Sequence, residues 1–324
     1  MGEEILKLHH VCKEFKLNKN ESLHAVRDVS FHVSSQEIVA VVGESGCGKS
    51  TLARMIARIE DVSSGDIFFQ GKRINDIKGK ELRNYRKELQ MVFQDPKSVF
   101  SPRMKIGDFL MEPWINFEGL SKKEAEKEAR YSLSRVGLGE ENWKKYPHQL
   151  SGGELQRVAI ARAISLHPRL LICDEATSAL DVSTQKEILG LLKEHFDHSH
   201  MGQDFSVLFI THDLALAENF CDRIVVMYLG RVVETMKAHV LQLHARHPYT
   251  RALLASVFEI YEDQEKPIEV LQGEAEGSRE QTGCIFCPRC PQAMEICKRE
   301  EPKLRKIREG HYLACHREQR VEMK

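Results

Sequence analysis

The chain has 324 residues, 42% of them hydrophobic and 29% charged, with 47 basic against 48 acidic side chains and a formal net charge of −1. That profile belongs to an ordinary globular chain long enough for one large domain, or for a domain with a smaller appendage. The balanced charge gives no global attraction for nucleic acid, and no run approaches the 18 apolar residues a membrane span requires. The opening Met1-Gly2-Glu3-Glu4 lacks the apolar core of a signal peptide. Leu6 stands where myristoylation of Gly2 would need Ser or Thr. The expectation is therefore a chain that stays in the cytoplasm. Of nine cysteines, Cys12, Cys47, Cys173 and Cys221 are scattered and read as small buried hydrophobes in a reducing compartment. The other five fall within 32 residues near the C-terminus.

In chain order, residues 5–8 and 30–33 read as strands, with a polar turn expected at 17–22 between them. Glu37-Ile38-Val39-Ala40-Val41-Val42 is a short, β-branched apolar run that predicts a buried strand. Residues 52–57 contain helix formers and no breaker. A glycine-bounded strand is expected at 65–71, and another at 89–94 that ends at the turn signal Asp95-Pro96. From about 97 to 165 the pattern is helical. Ser121-Lys122-Lys123-Glu124 is a capping box that opens a helix towards Gly137, and a second helix should run from near Ser151 through Ile164. Strands resume at 170–173 and 206–210, with a crossover helix at about 184–196 between them. Residues 224–228 and 231–234 read as a hairpin turned at Gly230. A short helix near 249–256 leads into 259–281, a polar, turn-rich stretch that reads as a linker or extended arm. There is no internal repeat.

Between the strand at 37–42 and the helix at 52–57 lies Gly43-Glu44-Ser45-Gly46-Cys47-Gly48-Lys49-Ser50-Thr51. It fits the phosphate-binding pattern G-x-x-x-x-G-K-S/T in the strand–loop–helix context that pattern requires. The glycines let the backbone curl round phosphate oxygens, with N–H groups at a helix N-terminus facing the anion. Lys49 would reach the β- and γ-phosphates, and the Ser50 hydroxyl would ligate Mg²⁺. The chain is expected to bind a nucleoside triphosphate. About 120 residues on, Leu170-Leu171-Ile172-Cys173-Asp174-Glu175 is an apolar strand ending in two carboxylates. Asp174 there suits Mg²⁺, and Glu175 suits polarising an attacking water. Leu150-Ser151-Gly152-Gly153-Glu154 is a second glycine-rich helix start. One triphosphate has little use for two of these in one subunit. Two subunits arranged head to tail do, each signature covering the γ-phosphate on its neighbour's loop. Cys284-x₂-Cys287-x₂-Cys290-x₆-Cys297, with Cys315 beyond, has a metal-ligand spacing. Thiolates select zinc or iron–sulfur clusters, and a small segment with little core of its own could be folded by such a centre.

Together, the phosphate loop, Leu150-Ser151-Gly152-Gly153-Glu154, Asp174-Glu175 and Thr211-His212-Asp213 resemble the ATP-binding subunits of ABC transporters, in that family's order and over almost the whole chain. The resemblance implies a RecA-like α/β P-loop nucleotide-binding domain at 1–245 with a helical subdomain at about 97–165. A small Cys-rich C-terminal domain at 246–324 would follow. It implies Phe15 stacking on adenine and Gln94 contacting Mg²⁺ or water while sensing the transmembrane subunit. Ser178-Ala179-Leu180-Asp181 would communicate across the dimer, and His212 would contact the γ-phosphate. Glu154 replaces the commoner Gln of the signature, with little effect expected because Ser151 and the backbone face the phosphate. Asp95-Pro96, Ser101-Pro102-Arg103-Met104 and Glu112-Pro113-Trp114 resemble the importers of dipeptides, oligopeptides and nickel, although Ser101 stands where Asn is expected. His247-Pro248-Tyr249-Thr250-Arg251-Ala252-Leu253-Leu254 resembles the same family's C-terminal extension. In that family, Cys284, Cys290, Cys297 and Cys315 would ligate a 4Fe–4S cluster. Cys287 is then a bystander able to replace Cys284 or Cys290, and four-cysteine zinc is the alternative. The implied function is powering peptide import, with nickel or metallophore import, or peptide export, as alternatives. The implied cofactors are Mg²⁺ and the cluster, with ATP as substrate. The implied partners are a sibling ATPase, two permease subunits and a periplasmic or extracellular solute-binding protein, and no nucleic acid. The expected location is the cytoplasmic face of the membrane, reached through the permease. A soluble ABC ATPase of translation or repair would carry two nucleotide-binding halves or a long coiled-coil insertion, and neither is present.

Overall fold

The computed structural model describes residues 3–18, 21–177, 180–199, 205–258 and 282–317. The chain begins with two long strands, β1 (Glu4–Asn18) and β2 (Glu21–Ser34), followed by β3 (Ile38–Val42), α1 (Lys49–Ile56), β4 (Ser64–Phe69) and β5 (Lys72–Arg73). Next come α2 (Gly79–Glu88), β6 (Leu89–Val92) and three helices, α3 (Ile106–Glu118), α4 (Lys122–Arg135) and α5 (Gly152–Ser165). Then follow β7 (Leu170–Asp174), α6 (Val182–Ser199), β8 (Ser206–Thr211), α7 (Leu214–Phe220) and the hairpin β9 (Arg223–Tyr228) and β10 (Arg231–Lys237). The chain closes with α8 (Leu241–His244), α9 (Pro248–Phe258), α10 (Glu295–Arg299), β11 (Arg305–Arg308) and β12 (His311–Leu313). Among the described residues no helix is long and apolar enough to cross a membrane.

The chain divides into two compact units, the first formed by Met1–Ile5, Ser34–Glu37 and Asp76–Ile210. Here β6 pairs in parallel with β7, Leu89 opposite Leu170, and β7 in parallel with β8, Asp174 opposite Ile210. Every residue of β7 and β8 is buried, which is why their sequences read as unbroken apolar runs rather than alternating ones. The helices α3, α4 and α5 bury one apolar cluster that includes Ile106, Leu110, Ala129, Leu133, Leu155 and Val158. The two expected capping boxes form at their N-termini. Ser121 and Glu124 bond reciprocally at α4, as do Ser151 and Glu154 at α5.

The second unit comprises Leu6–Val33, Ile38–Asn75 and Thr211–Lys324. One of its sheets has the order β2-β1-β4-β5. In the other, β3 pairs in parallel with β9, and β9, β10, β12 and β11 follow antiparallel. The residues of β3 are all buried, as its composition predicts. The turn expected at 17–22 is displaced: Leu17, Asn18, Glu21 and Ser22 belong to strands, and residues 19–20 lie outside the described residues. Leu17 and Leu23 are about half exposed, so this ribbon end has no buried face whose alternation could betray it. The expected linker at 259–281 also lies outside the described residues.

The C-terminal segment joins the sheet of this unit through β12. Thr235 of β10 is opposite Tyr312 of β12, and the Ala314 N–H donates to the Val233 carbonyl at 2.9 Å. Glu234, fully buried in β10, gathers the connection. Its carboxylate accepts the N–H groups of Arg246 (2.8 Å) and His247 (3.1 Å) and bonds His311 Nε2 at 2.8 Å. Burial pushes the His247 imidazole down to about 4, so the ring stays neutral and its Nδ1 accepts the N–H of Tyr249. Glu234→Ala would leave these buried donors without an acceptor. It should cost about 3 kcal/mol, the scale for removing one partner of a buried pair. Limited proteolysis of the variant should release the C-terminal segment at protease levels that leave the parent intact.

Candidate functional site

The phosphate loop sits in the second unit, between β3 and α1. Gly48 adopts φ +102°, and a Cβ there would meet the Ala25 carbonyl oxygen at 2.1 Å. A Cβ on Gly43 would meet the Met227 carbonyl oxygen at 2.2 Å. Both positions are thus closed to any side chain, while Gly46, at φ +78°, has nothing within 4 Å and faces open space. The Gly230 N–H donates to the Cys47 carbonyl at 2.8 Å, so the turn of the β9–β10 hairpin fixes the loop from beneath. Lys49 is buried, and its ammonium donates to the Gly43 carbonyl at 2.7 Å and the Glu44 carbonyl at 2.9 Å. The charge therefore waits, desolvated, on the loop's own oxygens. Burial raises the Cys47 thiol, which remains a neutral filler beside Lys49. Ser45 is exposed, and Ser50 and Thr51 are half-buried in the first turn of α1. Phe15, in β1, is half-buried with the Lys13 ammonium 4.7 Å from its ring centroid.

In the same unit, Thr211-His212-Asp213 makes the passage from β8 into α7. Asp213 caps α7 by accepting the Leu216 N–H at 2.9 Å, and its own N–H donates to Thr211 Oγ1 at 3.0 Å. These bonds hold the backbone on both sides of His212, whose side chain is exposed.

The carboxylates lie in the first unit. Asp174, buried at 2% exposure, ends β7, and Glu175 follows it at φ +47°. A non-glycine residue in that region carries about 1–3 kcal/mol of strain and persists where its surroundings enforce it. Here the Glu175 N–H is bound to the Ile210 carbonyl at 3.0 Å, and Oε2 accepts Gln94 Nε2 at 2.8 Å. Of the expected catalytic residues, Gln94 and Glu175 are thus brought into direct contact. Residues 178 and 179, the first half of the expected communication loop, lie outside the described residues. Leu180 is half-buried, and Asp181 accepts hydrogen bonds from Ser183 and Thr184 that hold its carboxyl well below the usual range.

At the signature, Ser151 and Gly152 are exposed and Gly153 is half-buried. Glu154 Oε2 accepts both the N–H and the hydroxyl of Ser151, each at 2.8 Å, and these bonds lower its pKa. The Ser151 hydroxyl hydrogen is therefore directed at Glu154, not outward.

The cysteine cluster is drawn together. Cys284, Cys287, Cys290, Cys297 and Cys315 line a single pocket. The Cys284 N–H donates to the Cys297 carbonyl at 2.8 Å, and residues 287–289 make a tight turn between Cys287 and Cys290. Burial lifts the Cys284 thiol to about 12 and raises Cys287 and Cys290 as well. Among the described residues, no three His, Cys, Asp or Glu side chains form a group that could hold a single metal ion.

Two residues at the phosphate loop escaped the sequence reading. Arg289, in the turn between two cysteines, makes a two-pronged ion pair with Glu44, and the Glu44 N–H donates to the Tyr249 hydroxyl at 2.8 Å. Local sequence carries no signal for a contact spanning 245 positions.

A phosphate loop ahead of a helix, a carboxylate pair at a strand end and a capped glycine signature define an ATP-binding cassette. Residues 26–178 match the ABC transporter family, and residues 233–297 match the oligopeptide/dipeptide transporter C-terminal region. The chain is 41% identical to a probable peptide ABC transporter ATP-binding protein of Sinorhizobium fredii, over 98% of this chain and 90% of that one. It is 39% identical to the di/tripeptide transport ATP-binding protein DppF of Pseudomonas aeruginosa, over 97% of this chain and 98% of that one. It is 38% identical to the oligopeptide transport ATP-binding protein OppF of Haemophilus influenzae, over 97% of each. A solved dimeric ATP-binding cassette in a post-hydrolysis state with ADP and Pi superposes with a TM-score of 0.66 at 32% identity, covering 72% of this chain and 98% of that one. The chain belongs to the ATP-binding subunits of ABC transporters, in the branch with the oligopeptide/dipeptide C-terminal region, and is an ATPase.

Gly48→Ala places a Cβ 2.1 Å from the Ala25 oxygen in a left-handed conformation. The expected outcome is loss of ATP binding in equilibrium dialysis, with the far-ultraviolet circular dichroism of the parent retained.

Proposed function

We propose that this chain is the ATP-hydrolysing subunit that powers import of di- or oligopeptides through a membrane permease. The observation that carries the substrate class is the oligopeptide/dipeptide transporter C-terminal region at 233–297. Relatives across nearly the full length, named for peptide transport, support it.

ATP would lie with its phosphates on the N–H groups of the 43–51 loop other than that of Glu44, which Tyr249 holds, and its adenine against Phe15. Lys49, already stripped of water, exchanges two backbone carbonyls for the β- and γ-phosphates, so no further desolvation opposes binding. Ser50, Gln94 and Asp174 offer oxygen donors alone, the set a hard cation takes, and Mg²⁺ held by them would neutralise phosphate charge. Glu175 takes the proton of the attacking water. Its strained backbone and the Gln94 bond fix the carboxylate before substrate arrives. His212 orients the γ-phosphate. Ser151, Gly152, Gly153 and Glu154 serve the ATP held by the phosphate loop of a sibling subunit, with Ser178, Ala179, Leu180 and Asp181 signalling between the two. Two permease subunits would dock beside Gln94 and the exposed residues 101–103, and a periplasmic or extracellular solute-binding protein would deliver the peptide. The chain then works at the cytoplasmic face of the membrane. Residues 1–245 act as the ATPase domain, with a helical subdomain at about 97–165, and 246–324 as its extension.

Five thiols lining one pocket are the donor type a 4Fe–4S cluster takes, and Cys284, Cys290, Cys297 and Cys315 would close further together to hold it, with Cys287 as bystander. A tetrahedral zinc ion would need four sulfurs about 3.8 Å apart, following from its short Zn–S bonds. The cluster's role would be structural, cross-linking a segment with little core. Anaerobically purified protein should be brown, with about four irons per chain. Cys290→Ser should lower the iron content, whereas a colourless protein with one zinc would replace the cluster by zinc.

The function is tested in vesicles holding the whole transporter. ATP turnover should rise when the binding protein carries a di- or oligopeptide, and Glu175→Gln should lower it about 10²–10⁴-fold with ATP still bound. Turnover indifferent to peptide but driven by a nickel complex would overturn the substrate class. Near-parental turnover of Glu175→Gln would remove that residue as the base.

A further inference from the structure

We propose that Arg289 and Tyr249 are positioning residues of the phosphate loop, so that the C-terminal extension forms part of the ATP site. The inference rests on the nucleotide-binding reading above and extends it to a segment outside the ATPase motifs.

Glu44 is the second residue of the loop and has no catalytic role in the reading above. Yet its polar groups are bound on several sides. Arg289 Nη1 and Nη2 donate to Glu44 Oε2 and Oε1 at 2.8 and 3.0 Å, a two-pronged contact that fixes the carboxylate in direction as well as place. The Glu44 N–H donates to the Tyr249 hydroxyl at 2.8 Å, and the Glu44 carbonyl accepts from Lys49 at 2.9 Å. The guanidinium side chain is only 9% exposed, and its bonds to Glu44 raise its pKa. The ion pair is therefore screened from solvent far better than a surface pair, whose contribution is small.

The side chains behind the contact are themselves locked. Tyr228 and Tyr249 have ring centroids 4.7 Å apart, and Phe286 meets Tyr228 edge-on at 5.2 Å and Tyr249 at 5.6 Å. Phe286 is fully buried and lies three residues before Arg289. Tyr249 is likewise fully buried in α9. The guanidinium also lies over the Tyr228 ring, 5.9 Å from its centroid. An aromatic wedge from the extension thus aims one acceptor and one forked cation at a single loop residue.

A phosphate loop binds through its backbone, so the free energy of holding that backbone in its binding shape appears as nucleotide affinity. When Lys49 turns to the phosphates, Glu44 loses that contact, and Tyr249 and Arg289 remain to hold it. Loosening them should raise the dissociation constant and KM for ATP, while the chemistry at Glu175 proceeds at nearly its normal rate once ATP is bound.

The test uses the full chain, with MgATP as probe for binding and the assembled transporter for turnover. Arg289→Ala should raise both the dissociation constant and KM for ATP about tenfold, with kcat within about twofold of the parent. Arg289→Lys should recover part of the affinity, since it keeps the charge and loses the fork. Tyr249→Phe, which keeps the ring and removes the acceptor, should weaken binding about three- to fivefold. Glu44→Gln should weaken binding as Arg289→Ala does, and the double variant should be no weaker than either single one. Unaltered affinity in Arg289→Ala and Tyr249→Phe would overturn the inference, as would additive losses in the double variant or an equal fall of kcat in all of them. If Arg289→Ala fails to fold, judged by its thermal melt, Arg289→Lys and Glu44→Gln carry the same comparison. A parent protein that binds no ATP would defeat the nucleotide reading instead, a result distinct from variants that match a parent which does bind.

Discussion

A loop that binds phosphate through its own N–H groups has few of those groups left to hold itself in shape. That constraint governs the second unit. The loop is fixed by what remains: its carbonyls, its side chains, the absence of side chains, and the Glu44 N–H, which the Tyr249 hydroxyl takes. Gly43 and Gly48 press against the carbonyl oxygens of Met227 and Ala25 closely enough to exclude any Cβ. The Gly230 N–H holds the Cys47 carbonyl, and Lys49 ties two carbonyls of the loop. The buried strand β3 and the helix α1 set the two ends of the curve, and Glu44, next to the β3 end, is held from the extension.

In the first unit the same economy appears in a different form. The buried strand β7 carries Asp174 at its end; the Glu175 N–H donates to the Ile210 carbonyl and the Glu175 carboxylate accepts from Gln94 Nε2, and these bonds keep Glu175 in a conformation that few side chains adopt. Strain there is sustained by the parallel pairing of β7 with β8, which places the Ile210 carbonyl where the Glu175 N–H needs it. At the signature helix, Glu154 closes a capping box with Ser151 that the commoner Gln could also form, so the departure adds only a negative charge at the helix start.

The C-terminal extension is bound into the sheet through backbone pairing, through the buried Glu234 and through the aromatic cluster round Phe286. Each connection uses a different kind of force, and all end on elements flanking the phosphate loop. The pocket of five cysteines lies in the same segment, so whatever organises those thiols also organises the turn that carries Arg289.

Features that depend on neighbours in sequence were legible there. The phosphate loop, both capping boxes, the buried strands β3, β7 and β8, and the β9–β10 hairpin each declare themselves within a few residues, because glycine geometry, reciprocal i,i+3 bonding and full burial leave local marks. The helix α2 left none: Tyr85 is its one buried residue, so no apolar period runs along it. Helix α7 was hidden because its cap, Asp213, was read only as part of a motif. Strand β12 is short and exists as a strand by pairing with β10, far back in the chain, and β11 in turn pairs with β12. The amino-acid sequence by itself determined the motifs and their order along the chain, because each is a short string of residue types that needs no fold to be read. The tertiary structure alone decided that Arg289 and Tyr249 would close on Glu44, and that Gln94 would meet Glu175. Those contacts join positions whose separation is set by how strands and helices pack, and no local periodicity encodes that distance.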